Sequence, residues 1–254
     1  MSLAGKKIFV TGGSRGIGLA IAIRAAKDGA MIAIAAKTNE PNPKLPGTIH
    51  TAASEITAAG GKALAIQCDL RDENQISAAV DQAAKEFGGI DILINNAGLM
   101  SDVSITKMSD ELWDEAINLN LSVAFKLIRA CAPSMVSKKW GRVINISSQV
   151  ALTGSANHAH YATAKAGLLG LTYSAAKEYG ASGVTVNAVL PGRIETKMIA
   201  DRSVGRLDEW LSQTPLNRLG RPDEVAAMIN FLASDASSYI TGAAINVNGG
   251  LVMG

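Results

Sequence analysis

Tyr161 and Lys165 stand at i and i+4 in the run Tyr-Ala-Thr-Ala-Lys, a spacing that puts both side chains on one face of a helix. There an ammonium can stabilise a phenolate and pull down a phenol pKa that is normally about 10. That makes the phenol a usable proton donor near neutral pH. Alone, such a pair is more often a solvated helix face. Three further signals stand at compatible places. Ser148 ends an apolar strand pattern, Asn95-Asn96-Ala97-Gly98 ends another, and Thr11-Gly12-Gly13-Ser14-Arg15-Gly16-Ile17-Gly18 follows the first. A hydroxyl at the carboxyl end of a strand can hydrogen-bond a carbonyl oxygen, so Ser148 and Tyr161 together would polarise and protonate a carbonyl. Ser147 is the obvious rival for the first task.

The elements that must position these groups can be read from hydropathy. Strand patterns run over Lys7–Val10, Met31–Ala35, Ala63–Cys68, Ile90–Ile94, Arg142–Ser147, Val184–Leu190 and Ala244–Val247. Between them lie helical patterns. Asn74–Phe87 carries the stripe Ile76, Ala79, Val80, Ala83, Ala84, Phe87 expected of period 3.6, and another helix starts at Pro222 with Asp223 and Glu224 in its first turn. Strand and helix in alternation imply right-handed crossovers and a parallel sheet covered on both faces. The expected fold is α/β: one Rossmann domain, a doubly wound parallel sheet of about seven strands, over residues 1–254. The crowding of Pro41, Pro43 and Pro46 between Lys37 and Thr48 excludes a regular helix there and favours a stiff extended loop.

Composition bounds the function. The 254 residues suffice for one large core, which at 48% hydrophobic and 4% aromatic must be mainly aliphatic. A formal net charge of +2 with no basic run speaks against nucleic acid or a membrane surface as partner. Cys68 and Cys131 read as apolar fillers rather than a disulfide or metal framework. With no signal-peptide pattern and no apolar run of about 20 residues, a cytoplasmic location is expected. His158 and His160 flank the start of the Tyr161 helix without a third ligand at metal spacing, so they read as solvated loop residues, with substrate contact as the alternative, and no metal is expected.

In a doubly wound sheet, ligands bind beyond the carboxyl ends of the strands where strand order reverses. The turn with Gly12, Gly16 and Gly18 lies between the first strand and the first helix, where glycines admit a tight turn and close approach to a pyrophosphate. An acidic residue at the end of the second strand would select the ribose 2′-hydroxyl of NAD, but Ala36 is followed by Lys37. With Arg15 in the glycine turn, two cations and no anion favour a 2′-phosphate, hence NADP(H). Asp69, after the third strand, is placed either for an adenine amine or for a helix cap. Asn120 falls in an apolar helical pattern, Leu119–Phe125. A buried amide left unsatisfied there would cost about 1–3 kcal/mol, and a water linking it to Lys165 would supply both a partner and a proton route.

Together these residues resemble the short-chain dehydrogenase/reductase family over nearly the whole chain. The landmarks include Pro191-Gly192 and the late Asn248-Gly249-Gly250. The resemblance implies a catalytic tetrad of Asn120, Ser148, Tyr161 and Lys165, with Ser148 preferred over Ser147 by its distance from Tyr161. It also implies cofactor contacts from Asn96 and Ile194 near the nicotinamide end, and extends the candidate contacts to Ser14, Ile17, Leu70, Ala97, Gly98, Pro191, Gly192 and Thr196. Lys165 would serve twice, on the tyrosine and on the ribose hydroxyls. Within the family the chain is most similar to the bacterial 3-oxoacyl-carrier-protein reductases, while Ala35–Gly61 resembles hydroxysteroid dehydrogenase-like proteins.

The expected activity is NADP(H)-dependent interconversion of a ketone and a secondary alcohol. The alternatives are a dedicated 3-oxoacyl-thioester reductase and, from another class, a catalytically idle NADP-binding sensor. Substrate contacts are expected from 99–104, 149–158 and a lid over about 193–216, whose Met198, Ile199, Leu207, Trp210 and Leu211 form an apolar set. Arg193, where related reductases often carry an apolar residue, faces either a polar substrate group or solvent. For an acyl-carrier protein as partner, Lys138 and Lys139 match a basic position, but Ser182 stands where arginine is common. Two helices, about 111–136 and 161–179, resemble those that pair subunits in the family, which implies a homotetramer.

Overall fold

The computed structural model describes residues 2–42 and 46–253. In chain order it forms β1 (Lys7–Thr11), α1 (Gly16–Lys27), β2 (Met31–Ala36), α2 (Ile49–Ala58), β3 (Lys62–Gln67), α3 (Glu73–Phe87) and β4 (Ile92–Asn95). There follow α4 (Asp110–Ile117), α5 (Val123–Ser137), β5 (Gly141–Ile146), α6 (Val150–Thr153), α7 (Ala159–Tyr179) and β6 (Val184–Pro191). The chain closes with α8 (Lys197–Ser203), α9 (Leu207–Ser212), α10 (Pro222–Ala233) and β7 (Ala244–Val247). The strands make one parallel sheet in the order β3-β2-β1-β4-β5-β6-β7. Strand order reverses between β1 and β4, and the glycine turn leaves β1 at that switch point.

Alternation along the strands divides the core. Ile8, Val10, Ile32, Ile34, Ile92, Ile94 and Ile144 face one layer, with Ile21 of α1, Ile56 of α2 and Ile229 of α10. Phe9, Ala33, Leu93, Val143 and Val186 face the other, against Val80 of α3, Leu127 of α5 and Ala176 of α7. This is a doubly wound sheet in one α/β domain. The aliphatic core follows directly: every central strand is buried on both faces, so near-continuous Ile, Val, Leu and Ala satisfies both layers.

Local differences from the sequence reading have clear causes. β4 begins at Ile92 rather than Ile90; Asp91, just before it, bonds Lys7 and Arg142 through its backbone, and its side chain accepts from the Lys7 N–H at 3.1 Å and pairs with Lys138 at 3.1 Å. α3 is capped by Asp72, which accepts from the Asn74 and Gln75 N–H groups, so Asp69 is not the cap. Around the proline-containing loop, α2 starts at Ile49 with Thr48 in a reciprocal capping box; Pro43 lies outside the described residues. The expected 111–136 helix is interrupted at Asn118–Ser122 by a turn of π-helix. Within the helical run Asp110–Ser137 an 18-residue window reaches a mean hydropathy of 1.2, so by length and composition alone this helix is apolar enough to cross a membrane. Here it is a core helix: Leu127, Ile128, Cys131, Ala132 and Met135 are buried under the sheet, and Lys126 and Arg129 on its outer side pair with Glu73.

Candidate active site

Tyr161, Lys165, Ser148 and Asn120 converge at the carboxyl edge of β4, β5 and β6. Lys165 is 3% exposed; its Nζ donates to the Ile146 carbonyl at 2.8 Å and lies 5.6 Å from the centre of the Tyr161 ring. Burial lowers its pKa to about 8, so the ammonium still prevails at neutral pH. The phenol of Tyr161 is displaced upward by burial; a hydrogen bond from Ser148 and the positive charge of Arg202 act in the opposite direction. The expected lowering of the phenol by Lys165 is therefore not seen in the protein alone, because burial outweighs it and the ammonium is turned to a backbone carbonyl.

The two serines have separate places. Ser147 is buried and donates to the Lys165 carbonyl at 2.8 Å, fixing α7 to the end of β5. Ser148 is half-buried and reaches the Tyr161 phenol. Asn120 sits in the π-turn and is 2% exposed. Its Nδ2 donates to the Leu99 and Ala116 carbonyls at 3.0 and 2.9 Å, and its Oδ1 accepts from the Leu99 N–H at 3.2 Å. The extra residue of a π-turn leaves room for this side chain to bond the backbone around it, a device common at functional sites. A cavity of about 10 Å³ lies between Thr11, Asn95, Asn120 and Lys165, close to the room one water needs. Asn95 Oδ1, buried beside it, has no hydrogen-bond partner among the described residues.

The glycine turn is packed too closely for side chains. A Cβ on Gly18 would come within 2.4 Å of the Gly12 carbonyl and 2.6 Å of Asn96 Nδ2, and Gly12 and Gly16 adopt φ of +65° and +54°. Thr11 and Asn96 tie this turn to the end of β4. Thr11 Oγ1 accepts from the Asn96 and Ala97 N–H groups at 3.0 Å each, and Asn96 Nδ2 donates to the Thr11 and Gly12 carbonyls at 2.9 and 3.1 Å. Gly98 is held bare of a side chain by Asn120, whose Oδ1 would lie 2.6 Å from a Cβ there. The amino end of α1 carries no side-chain cap and no acid in its first turn, leaving its N–H groups for an anion. Arg15 donates to the Gly47 carbonyl at 2.8 Å, while its buried Nε has no hydrogen-bond partner among the described residues. Thr196 precedes α8 without a side-chain cap bond and approaches Gly16, Ile194 is buried, and Pro191-Gly192 closes β6. Ser14 is buried, as is Leu70, whose side chain joins the core beneath α3. Asp69 is held by Arg71 at 2.6 Å, well below the usual carboxylate range, with Lys37 at 3.6 Å. Lys37 is 69% exposed at the end of β2.

Sequence reasoning misplaced two residues of the substrate end and missed a third. Arg193 is half-buried and lines an open pocket with Ile194 and Asn248, while it donates to the Trp210 carbonyl at 2.8 Å and to Gln213 at 2.6 Å and stacks on the Trp210 ring, which fixes α9. His160 is fully buried inside α7, 3.4 Å from Ser101 Oγ, and burial lowers its pKa. His158 is bonded to Asp102 at 2.8 Å and Ser155 at 2.9 Å rather than free in solvent. Arg202 of α8 was not singled out at all. It donates to the Met100 carbonyl at 2.8 Å and pairs with Asp102 at 2.9 Å. A lone arginine in a short helix leaves no sequence pattern that could have marked it. Among the described residues, no group of three or more His, Cys, Asp or Glu could hold a metal ion.

This is the fold and site of an oxidoreductase acting at a carbonyl or alcohol carbon. Residues 12–252 match the family model described as enoyl-(acyl carrier protein) reductase. The chain is 42% identical over 253 residues to the 3-oxoacyl-[acyl-carrier-protein] reductase FabG of Escherichia coli K12, covering all of both chains. It is 39% identical to the Staphylococcus aureus Mu50 protein of the same name, over 98% of each. A crystal structure of a short-chain type dehydrogenase/reductase from Mycobacterium marinum superposes with a TM-score of 0.92 at 34% identity, over 100% of this chain and 98% of that one. The chain belongs to the short-chain dehydrogenase/reductase family.

Proposed function

We propose that the protein is an NADP(H)-dependent reductase of 3-oxoacyl thioesters, with Ser148 and Tyr161 at the carbonyl oxygen. The observation that carries this reading is the Ser148–Tyr161–Lys165 cluster, read together with the full-length similarity to 3-oxoacyl-[acyl-carrier-protein] reductases. NADPH supplies the hydride to the substrate carbonyl carbon. Ser148 donates a hydrogen bond to the carbonyl oxygen, and the Tyr161 hydroxyl gives that oxygen its proton as negative charge develops there. Lys165, buried beside the phenol, stabilises the phenolate left behind once its ammonium turns from the Ile146 carbonyl. A water in the cavity between Asn120 and Lys165 would return the proton to Tyr161.

The bare glycine turn, the uncapped amino end of α1 and the two cations Arg15 and Lys37 support the dinucleotide and its 2′-phosphate. Ser14, Ile17, Asp69, Leu70, Asn96, Ala97, Ile194 and Thr196 complete that wall in this reading. Residues 193–216 act as the lid. A homotetramer is inferred from α5 and α7, whose exposed Phe125 and Tyr173 would be covered between copies; light scattering reads it directly, as about four times 26.3 kDa against a single chain. The two free, buried thiols suit a reducing, cytoplasmic setting. The carrier protein is the proposed macromolecular partner; Lys138 and Lys139 sit at the amino ends of β4 and β5, where Lys138 pairs with Asp91, on the edge of the sheet opposite Tyr161, so they do not mark its approach.

The test is NADPH oxidation followed against ketones, 3-oxoesters, 3-oxoacyl-coenzyme A and 3-oxoacyl-carrier-protein thioesters, quinones and steroids. Fastest turnover on 3-oxoacyl thioesters is expected. Fast turnover confined to steroids or quinones would replace the substrate class. Binding of NADPH without reduction of anything would make the protein a sensor.

A further inference from the structure

The substrate end contains a chain of contacts that the tetrad does not use. Asp102, in the loop after β4, accepts from His158 on one oxygen at 2.8 Å and forms an ion pair with Arg202 through the other at 2.9 Å. The same loop is pinned to the start of α7 by the Val103 N–H, which donates to the Asn157 carbonyl at 2.9 Å, and by the approach of Ser101 to His160. His158 is the amino-terminal cap residue of α7, and Tyr161 lies in the first turn of that helix. The loop therefore runs along the turn that carries the phenol, and Arg202 crosses onto it from α8. Its second nitrogen is fixed on the Met100 carbonyl at 2.8 Å, and the side chain is only 22% exposed.

We propose that Arg202 is a positioning residue for Tyr161: fixed by Asp102 and the Met100 carbonyl, its guanidinium holds a permanent positive charge against the phenolate that Tyr161 becomes on giving up its proton. The proposal rests on Tyr161 being the proton donor. Arg202 touches neither substrate nor cofactor in this role. A guanidinium suits it, because it stays charged at every working pH and its planar fork can bond a carboxylate and a carbonyl together. The direction in which Arg202 acts on the phenol agrees with it. The charged and titratable groups around the phenol are Lys165 on its own helix, Arg202 from α8 and, behind Arg202, Asp102 and His158; His160 is turned inward to Ser101. Of the two cations, Lys165 is engaged by a backbone carbonyl, and Arg202 comes from the segment proposed to close over the substrate. The arrangement thus couples the position of α8 to the readiness of the acid.

The experiment is the pH profile for oxidation of a 3-hydroxybutyryl thioester by NADP+, where Tyr161 must be ionised to act. In Arg202→Gln the limb that rises with pH should move up by about one pH unit, the low end for an opposite charge near an acid. Turnover should therefore fall about tenfold at neutral pH and recover at high pH, with Arg202→Lys restoring most of the shift. Ultraviolet difference titration of the cofactor-free protein, with Tyr161→Phe subtracted, should show the same upward shift in Arg202→Gln. An unmoved limb, with only KM raised or turnover lowered equally at every pH, would overturn the proposal. Tyr161→Phe in the same assay separates the two claims: if it keeps the activity and the limb, the proton-donor reading itself has failed.

Discussion

Around the glycine turn, the cleft is held by buried backbone and short side chains. Thr11 and Asn96 bond one another's main chain, Asn120 bonds that of Leu99 and Lys165 that of Ile146, and bare glycines such as Gly98 set the spacing. At the other end, loop 99–104, α8 and α9 are held by long charged side chains. Arg202 and Asp102 pair there, Asp102 at 54% exposure, and Arg193 spans to Trp210 and Gln213. Half-exposed ion pairs contribute about 0–1 kcal/mol each and are weakened by salt, whereas leaving one of the buried polar groups unpaired costs about 1–3 kcal/mol. The first half is therefore the more rigid, suited to one invariant ligand. The second can open at little cost, as substrate entry requires.

Removing Lys165 should break this comparison most severely, because it is the buried residue that meets both ends. Lys165→Met is expected to lose turnover by at least about 10²-fold and to weaken NADPH binding, read by fluorescence titration. Loss of turnover with unchanged NADPH affinity would confine Lys165 to the phenol. A smaller effect concerns cofactor choice. With Arg15 and Lys37 facing a 2′-phosphate, NADPH should bind better than NADH, and the preference should shrink at high salt. Lys37→Asp should shift it about tenfold toward NADH, the scale of one or two screened charges. Equal affinity of the unaltered protein for both would remove that assignment.

A third effect is on stability. The folded-state pKa of Lys165 is depressed to about 8 from 10.5, so the unfolded chain holds more protons than the folded one between those values and stability rises with pH across that window. Below about pH 8 the cost of the buried charge is fully present, on the order of 2–3 kcal/mol, offset in part by the bond to Ile146. Cofactor-free Lys165→Met should thus melt higher than the unaltered protein at neutral pH, with the gain fading toward pH 10. A lower melting temperature at pH 7 would mean that the hydrogen bond outweighs the charge.

The same contrast explains what was legible in the sequence. Strand patterns, parallel topology and the glycine turn could be read because two-sided burial and close backbone approach restrict residue types at every position. The cluster of Ser148, Tyr161, Lys165 and Asn120 could be read because strand ends and helix spacing are local signals, sharpened by family resemblance. The π-turn at 118–122 could not, since its apolar pattern is that of an ordinary helix. Neither could the inward turn of His160, the Asp102–His158–Arg202 contacts or the seat of Arg193 on Trp210. Those depend on where three separate loops meet in space, and long side chains that meet there leave no periodicity behind.

The central claim, that Tyr161 is the proton donor of a reductase, is tested most directly by Tyr161→Phe, which removes one oxygen and leaves Lys165, Ser148 and the glycine turn in place. Reduction of a 3-oxoacyl thioester by NADPH should slow by about 10²–10⁴-fold or more, while NADPH affinity, measured on the same preparation, stays within about twofold. Turnover close to that of the unaltered protein would contradict the account.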